Sequence, residues 1–196
     1  MPFTLTEPFQ TVEEIKKSRF LVNVAPVNNI EQATDFINAV SDISATHNCW
    51  AWKLGQNYRF NDDGEPSGTA GRPMLSAIEG QQCDYVVAVV TRWFGGIKLG
   101  TGGLARAYGG SVARSLQQAN LIELIARTSC QFHCYYNEWP LLESRLPTID
   151  AIIEQQTFDA EGTQLHLAIP NHQLPTLQQW LNDVTKGRVQ AKLIEE

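Results

Sequence analysis

The chain has 196 residues, 43% of them apolar, and a formal net charge of −6. That is enough apolar content for one large or two small packed domains, and the acidity argues against a generic nucleic-acid binder. The N-terminus lacks the basic, apolar and small-residue order of a signal peptide and no apolar run approaches a membrane span, so a soluble cytoplasmic protein with no membrane partner is expected.

The charge is uneven along the chain. Residues 1–127 hold 11 Lys and Arg against 12 Asp and Glu, a net of −1, whereas residues 128–196 hold 4 against 9, a net of −5. Screening limits distant charge to a reach of roughly 8 Å at cellular salt, so a local basic face on the first part is compatible with the total.

Residues 1–16, with Pro2, Pro8 and scattered polar side chains, read as an extended lead-in, followed by a strand from Ser18 to Val24. Asn28 with Glu31 three residues on signals a helix start. Ile30, Ala33, Phe36, Ile37 and Val40 then recur at helical spacing to about Asp42. From His47 the period changes to two. His47, Cys49, Ala51 and Lys53 share one face of a strand and Asn48, Trp50, Trp52 and Leu54 the other. A turn at Gly55-Gln56-Asn57 leads to a partner strand, Tyr58 to Asn61. Paired tryptophans on one strand face read as core under a helix, with base stacking as the alternative.

The loop Asp62 to Pro73 is rich in Gly and Pro, with Thr69 as a cap and Pro73 in the first turn of a short helix reaching Ile78. Its length marks it as functional. Asp62, Asp63 and Glu65 offer a Mg²⁺ site or a general base; otherwise they cap turns and pair with Arg72, Arg92 or Lys98. From Asp84 an unbroken apolar run predicts a strand buried on both faces. It ends at Arg92-Trp93-Phe94 and enters a glycine-dense loop, where Thr101, Gly102 and Gly103 precede a helix from Leu104 to Gln118. Such a loop brings backbone N–H groups and a helix N-terminus to one point, an anion-binding layout. No acidic residue occurs from Tyr85 to Ile122, while Arg92, Lys98, Arg106 and Arg114 do. Gly109-Gly110 in the helix predict close packing against the sheet, and Leu121 to Arg127 a further strand.

Gly100, Gly102 and Ala105 satisfy the G-x-G-x-x-A spacing of a dinucleotide loop, but the loop starts well after the strand and lacks an acidic residue about 20 positions on. Lys98 precedes the second glycine cluster, which rules out a Walker A loop. The remainder repeats a compact pattern: strand Thr128 to Tyr136, helix Glu138 to Leu146, strands Ala151 to Phe158 and Thr163 to Ile169, helix Gln173 to Val184 and strand Arg188 to Ile194. That is βαββαβ, the ferredoxin-like order. Cys49, Cys83, Cys130 and Cys134 lack CxxC spacing and read as small buried thiols rather than metal ligands, with His133 on the strand face opposite Cys130 and Cys134.

Four blocks in order resemble the Impact/YigZ family: Lys16-Lys17-Ser18-Arg19-Phe20, His47-Asn48-Cys49-Trp50-Ala51-Trp52, Asp62 to Leu75, and Val89 to Gly100. They fall within residues 16–100, the resemblance is read over the first two thirds of the chain, and the last third fits bacterial members by layout. The resemblance implies an α+β fold of two two-layer α/β sandwich domains. Residues 1–127 would resemble domain IV of elongation factor G, of the left-handed βαβ type, and residues 128–196 its ferredoxin-like domain V. The same superfamily holds the galactokinase, homoserine kinase and mevalonate kinase group, which binds nucleotide phosphates at a glycine loop. The eukaryotic relative regulates translation through an additional N-terminal domain, which the short stretch before Lys16 does not provide.

The leading expectation is a non-enzymatic protein that binds RNA or the ribosome, with no cofactor and no metal. Its phosphate contacts are expected from Lys16, Lys17, Arg19, His47, Arg72, Arg92, Trp93, Lys98, Thr101, Gly102, Gly103 and Arg106. A protein partner for the acidic C-terminal domain is a further expectation. The alternative is a nucleotide- or phosphoester-processing enzyme with Mg²⁺ at Asp62, Asp63 and Glu65.

Overall fold

The apolar run after Asp84 forms the middle of a five-stranded sheet in the computed structural model, which describes residues 2–194. The chain divides into two compact units, Met1–Leu124 and Ile125–Glu196. The first contains β1 (Phe3–Leu5), β2 (Phe9–Ile15), β3 (Ser18–Pro26), α1 (Ile30–Val40), β4 (His47–Leu54), β5 (Asn57–Asn61), α2 (Gly71–Gly80), β6 (Val86–Trp93), α3 (Thr101–Gln118) and β7 (Leu121–Glu123). The sheet order is β2-β3-β6-β4-β5, and all neighbours are antiparallel. β3 and β4 therefore run parallel on either side of β6, with α1 in the crossover between them.

β6 is buried on both faces. Val86, Ala88 and Val90 join Phe20 and Val22 of β3 and Cys49 and Ala51 of β4 in a core with α2 and α3. Val87 and Val89 face the other way, with Trp52 and Leu54, against Ala33 and Phe36 of α1. The sheet with α2 and α3 makes the expected sandwich, and α1 covers the opposite face. Trp50 and Trp52 both belong to the α1 side of the core.

The supposed lead-in instead forms two strands. β2 pairs with β3 along its whole length and β1 pairs with β7. β2 is an edge strand whose positions alternate between half-buried and exposed, so its partner, rather than its own pattern, makes it a strand. The cap of α1 is Asn29, not Asn28: its Oδ1 accepts from the Gln32 N–H at 2.9 Å, while Gln32 Oε1 accepts from the Asn28 N–H at 2.8 Å. Gln32, not Glu31, closes the box. Thr69 does not cap α2, because its hydroxyl donates to the Pro66 carbonyl. Gly109 packs against α2 rather than the sheet: an added Cβ there would stand 3.1 Å from the Pro73 carbonyl oxygen. The strand expected over residues 121–127 stops at Glu123, where its three-residue partner β1 runs out.

The second unit contains β8 (Arg127–Tyr135), α4 (Trp139–Glu143), β9 (Ile152–Phe158), β10 (Gly162–Pro170), α5 (Leu174–Thr185) and β11 (Lys192–Leu193). Its antiparallel sheet runs β11-β8-β10-β9, the 4-1-3-2 strand order of the ferredoxin-like βαββαβ arrangement. Cys130, Phe132 and Cys134 pack with Leu165 and Leu167 against the helices. His133 turns to the other face and pairs with Asp159 at 2.9 Å. The helix expected to reach Leu146 ends at Glu143, and a 3-10 turn, Leu146–Ile149, follows; Pro147 has no N–H to continue an α-helix. Lys186 and Gly187, with φ of 54° and 80°, end α5. Among the described residues no helix is long and apolar enough to cross a membrane.

Candidate functional site

Both glycine-rich loops contribute to one pocket. It has a volume of about 300 Å³ and is lined by Glu65 and Pro66 of the first loop, Arg92 and Phe94 at the end of β6, and Lys98, Leu99 and Thr101 at the start of α3. Across Leu99 lies a second pocket of about 270 Å³, bordered by Lys16, Gly103 and Arg106.

Asp62 organises the first loop. Its carboxylate accepts from the N–H groups of Gly68, Ala70 and Gly71 at 2.8, 3.0 and 2.8 Å, which folds the loop back and starts α2 two residues before Pro73. Asp63 has left-handed backbone at φ 42° and accepts from the Asn48 N–H at 2.5 Å. Glu65 alone turns inward. Each of the three carboxylates considered as a metal or base set thus has its own protein partners. Among the described residues no group of three or more His, Cys, Asp or Glu is arranged to hold a metal ion.

Glu65 and Arg92 are 8% and 5% exposed. Arg92 Nη1 donates to Glu65 Oε1 at 2.5 Å, the Tyr108 hydroxyl donates to the same oxygen at 2.8 Å, and Arg92 Nη2 donates to Ser18 Oγ at 3.3 Å. His47 Nδ1 is 2.7 Å from the Asp63 carbonyl oxygen. A carbonyl only accepts, so Nδ1 carries the hydrogen and Nε2 faces Glu65 Oε2 at 3.8 Å. The Cys49 thiol donates to the Asp62 carbonyl at 3.0 Å, and burial pushes it up to about 12. Burial, with Cys49 and Glu65 adding to it, also drives the Tyr108 hydroxyl far above its ordinary range. Both stay protonated at neutral pH and act as neutral donors.

Arg92 therefore differs from the expectation of a cation facing an anionic ligand: its charge is met by Glu65 inside the unit. Strand alternation puts residue 92 on the same side as Ala88 and Val90, under α3. The buried hydroxyl of Tyr108 also went unrecognised in the sequence. The available signal was its place four residues after Leu104, on the apolar stripe of α3, because a tyrosine buried there needs a hydrogen-bond partner.

Of the cations expected at the site, Lys16, Lys17, Arg19, Lys98, Arg106 and, in the first turn of α2, Arg72 face solvent. Lys16 and Lys17 form the tip of the β2–β3 hairpin, with left-handed φ values of 48° and 66°. Gly95 fixes this tip against the loop after β6, since a Cβ there would stand 1.9 Å from the Lys17 carbonyl oxygen. The Gly95 N–H donates to Ser18 Oγ at 3.2 Å and the Phe94 N–H to Thr46 Oγ1 at 3.0 Å. Arg19 lies over the half-buried ring of Trp93 at 4.9 Å. Arg72, Arg19, Lys17 and Trp93 line neither pocket.

α3 begins after Gly100, which has φ 73°. Among the described residues no side chain caps this helix, and no acidic residue stands in its first turn. Its first backbone bond runs from the Leu104 N–H to the Gly100 carbonyl. The N–H groups of Thr101, Gly102 and Gly103 precede that bond, so helix geometry leaves them open for a ligand, with Thr101 at one pocket and Gly103 at the other.

An antiparallel α+β fold of two units, the first with a cation-rimmed pocket built from two glycine loops, defines the class. Residues 16–116 match the Impact N-terminal domain and residues 132–188 a domain of unknown function, DUF1949. The Escherichia coli K12 protein named IMPACT family member YigZ is 38% identical, over 96% of each chain. An IMPACT family member from Thermus thermophilus is 40% identical, over 89% of this chain and 97% of its own. A solved structure described as that of a hypothetical protein is similar at a TM-score of 0.70 and 37% identity, covering 99% of this chain and 97% of its own. The chain belongs to the IMPACT family.

Proposed function

We propose that this protein is a non-enzymatic binder of RNA or the ribosome, linked to regulation of translation. It contacts phosphates through Lys16, Lys98, Arg106 and the open N–H groups at the start of α3. The observation that carries this reading is the uncapped start of α3, set beside two pockets whose exposed charged side chains are all cations. An anion is stabilised at such a helix end by both the N–H groups and the dipole. A phosphodiester backbone supplies successive anions to the successive cations. The link to translation comes from the family resemblance.

The test is RNA binding by the purified chain over a series of salt concentrations. Log affinity should fall with log salt at a slope of about −0.7 per phosphate neutralised on single strands. Lys98→Glu with Arg106→Glu should weaken binding to all sequences alike and flatten the slope. Unchanged affinity and slope in the double variant would sink this assignment. Arg92→Glu is unsuitable here, because it would set two carboxylates together in the core.

A further inference from the structure

We infer that the pocket between the two glycine-rich loops seats one unstacked base of a single-stranded RNA on the ring of Phe94; this rests on the RNA-binding reading above. Phe94 is 48% exposed, a large aromatic left open at a site whose backbone is otherwise clamped. The Arg92 guanidinium lies over its ring at 5.6 Å, and both side chains line the pocket. The hydrogen bond from the Phe94 N–H to Thr46 and the close contact of Gly95 with Lys17 hold this platform in place. A stacking surface needs that rigidity, since a mobile ring gives up part of the stacking gain as lost rotamer freedom.

The other walls suit the same occupant. Pro66, Leu99 and Leu104 make them largely apolar, and about 300 Å³ is the small end of ligand pockets, room for a single ring system. The carboxylate in the lining, Glu65, is buried and already offset by Arg92. Lys98 is the exposed charge at the rim. The base's own phosphate then falls at the start of α3, and the next along the strand toward Lys16 and Arg106 across Leu99. Bases inside an A-form duplex are stacked and their faces are closed, so only single strands, loops or ends can enter.

The experiment measures anisotropy of a labelled single-stranded RNA, and of the same strand in a blunt duplex, with the full chain, Phe94→Ala, Phe94→Trp and Lys98→Glu, each checked for an unchanged thermal melt. Phe94→Ala should lower single-strand affinity roughly five- to a hundred-fold, the range of base–aromatic stacking. Its salt slope and its duplex binding should not change, and Phe94→Trp should bind the single strand at least as well as the parent. Lys98→Glu should weaken both RNA forms. Equal single-strand affinity for Phe94→Ala and the parent, or duplex bound as tightly as single strand by the parent, overturns the base pocket while the RNA-binding reading stands. Absence of salt-dependent binding to either form overturns that reading and the pocket with it.

Discussion

At Glu65 one carboxylate oxygen holds Arg92 and Tyr108 in a single buried cluster, with His47 Nε2 3.8 Å from the other oxygen. Glu65→Ala would leave the Arg92 guanidinium buried and unpaired, at a cost of about 3–5 kcal/mol. Tyr108→Phe removes one neutral donor and should cost about 1 kcal/mol. Urea unfolding of the two variants checks the order, and a smaller loss for Glu65→Ala would show that the ion pair does not hold the pocket floor. The four buried thiols set a second test. Desolvation raises Cys49 to about 12 and Cys83, Cys130 and Cys134 to about 11, against an ordinary value near 9. Above that value the unfolded chain releases thiol protons that the folded chain keeps, so the folded state loses ground. Their contribution is complete below pH 9 and is lost between pH 9 and about 12. The urea midpoint should fall across that window and fall less in Cys49→Ala. A midpoint flat to pH 12 would contradict the burial of these thiols. Their burial was legible in the spacing, because Cys130 and Cys134 recur on one strand face. That a loop carboxylate pairs with Arg92 was one of the readings of the sequence; that Glu65 is the one and that the pair is buried was not legible, because the two lie 27 residues apart with one in a loop.

The β2–β3 hairpin shows the same tension at the level of an element. A two-residue turn with positive φ at both positions favours Asn-Gly, yet Lys16 and Lys17 occupy it. Residues held in that region cost of order 1 kcal/mol or more each, and here the strained side chains are exposed cations beside a pocket. Replacing Lys16-Lys17 by Asn-Gly should therefore raise stability by about 1 kcal/mol while lowering RNA affinity. Thermal unfolding and anisotropy on the same variant separate the two effects, and a variant that gains stability and keeps full affinity would remove the hairpin tip from the site. Elements with a strong local period were legible: the two-faced β4, the buried β6, and the stripes of α1 and α3. The hairpin was not, because β2 takes its register from β3, and β1 from a strand more than a hundred residues away.

For the whole molecule, the two units have separate cores. One is built on the five-stranded sheet and the other on β8 and β10, and the division falls between Leu124 and Ile125. Two runs of elements, each able to bury its own apolar faces, were readable in the sequence, as was the βαββαβ order of the second. The meeting of the two glycine loops was not, because it depends on α2 and α3 packing side by side. From Ile125 onward the chain carries 9 Asp and Glu against 5 Lys and Arg, so the second unit repels a polyanion at a distance if RNA binds only the first. The reach of that repulsion is the Debye length, about 30 Å at 0.01 M salt and 8 Å at 0.15 M. Residues 1–124 should therefore fold alone and bind single-stranded RNA more tightly than the full chain at low salt, with the two titrations converging near physiological salt. Parallel anisotropy titrations of both proteins across that range decide it. If the shortened chain binds more weakly at every salt concentration, the second unit supplies RNA contacts of its own, and the phosphate path extends beyond the start of α3.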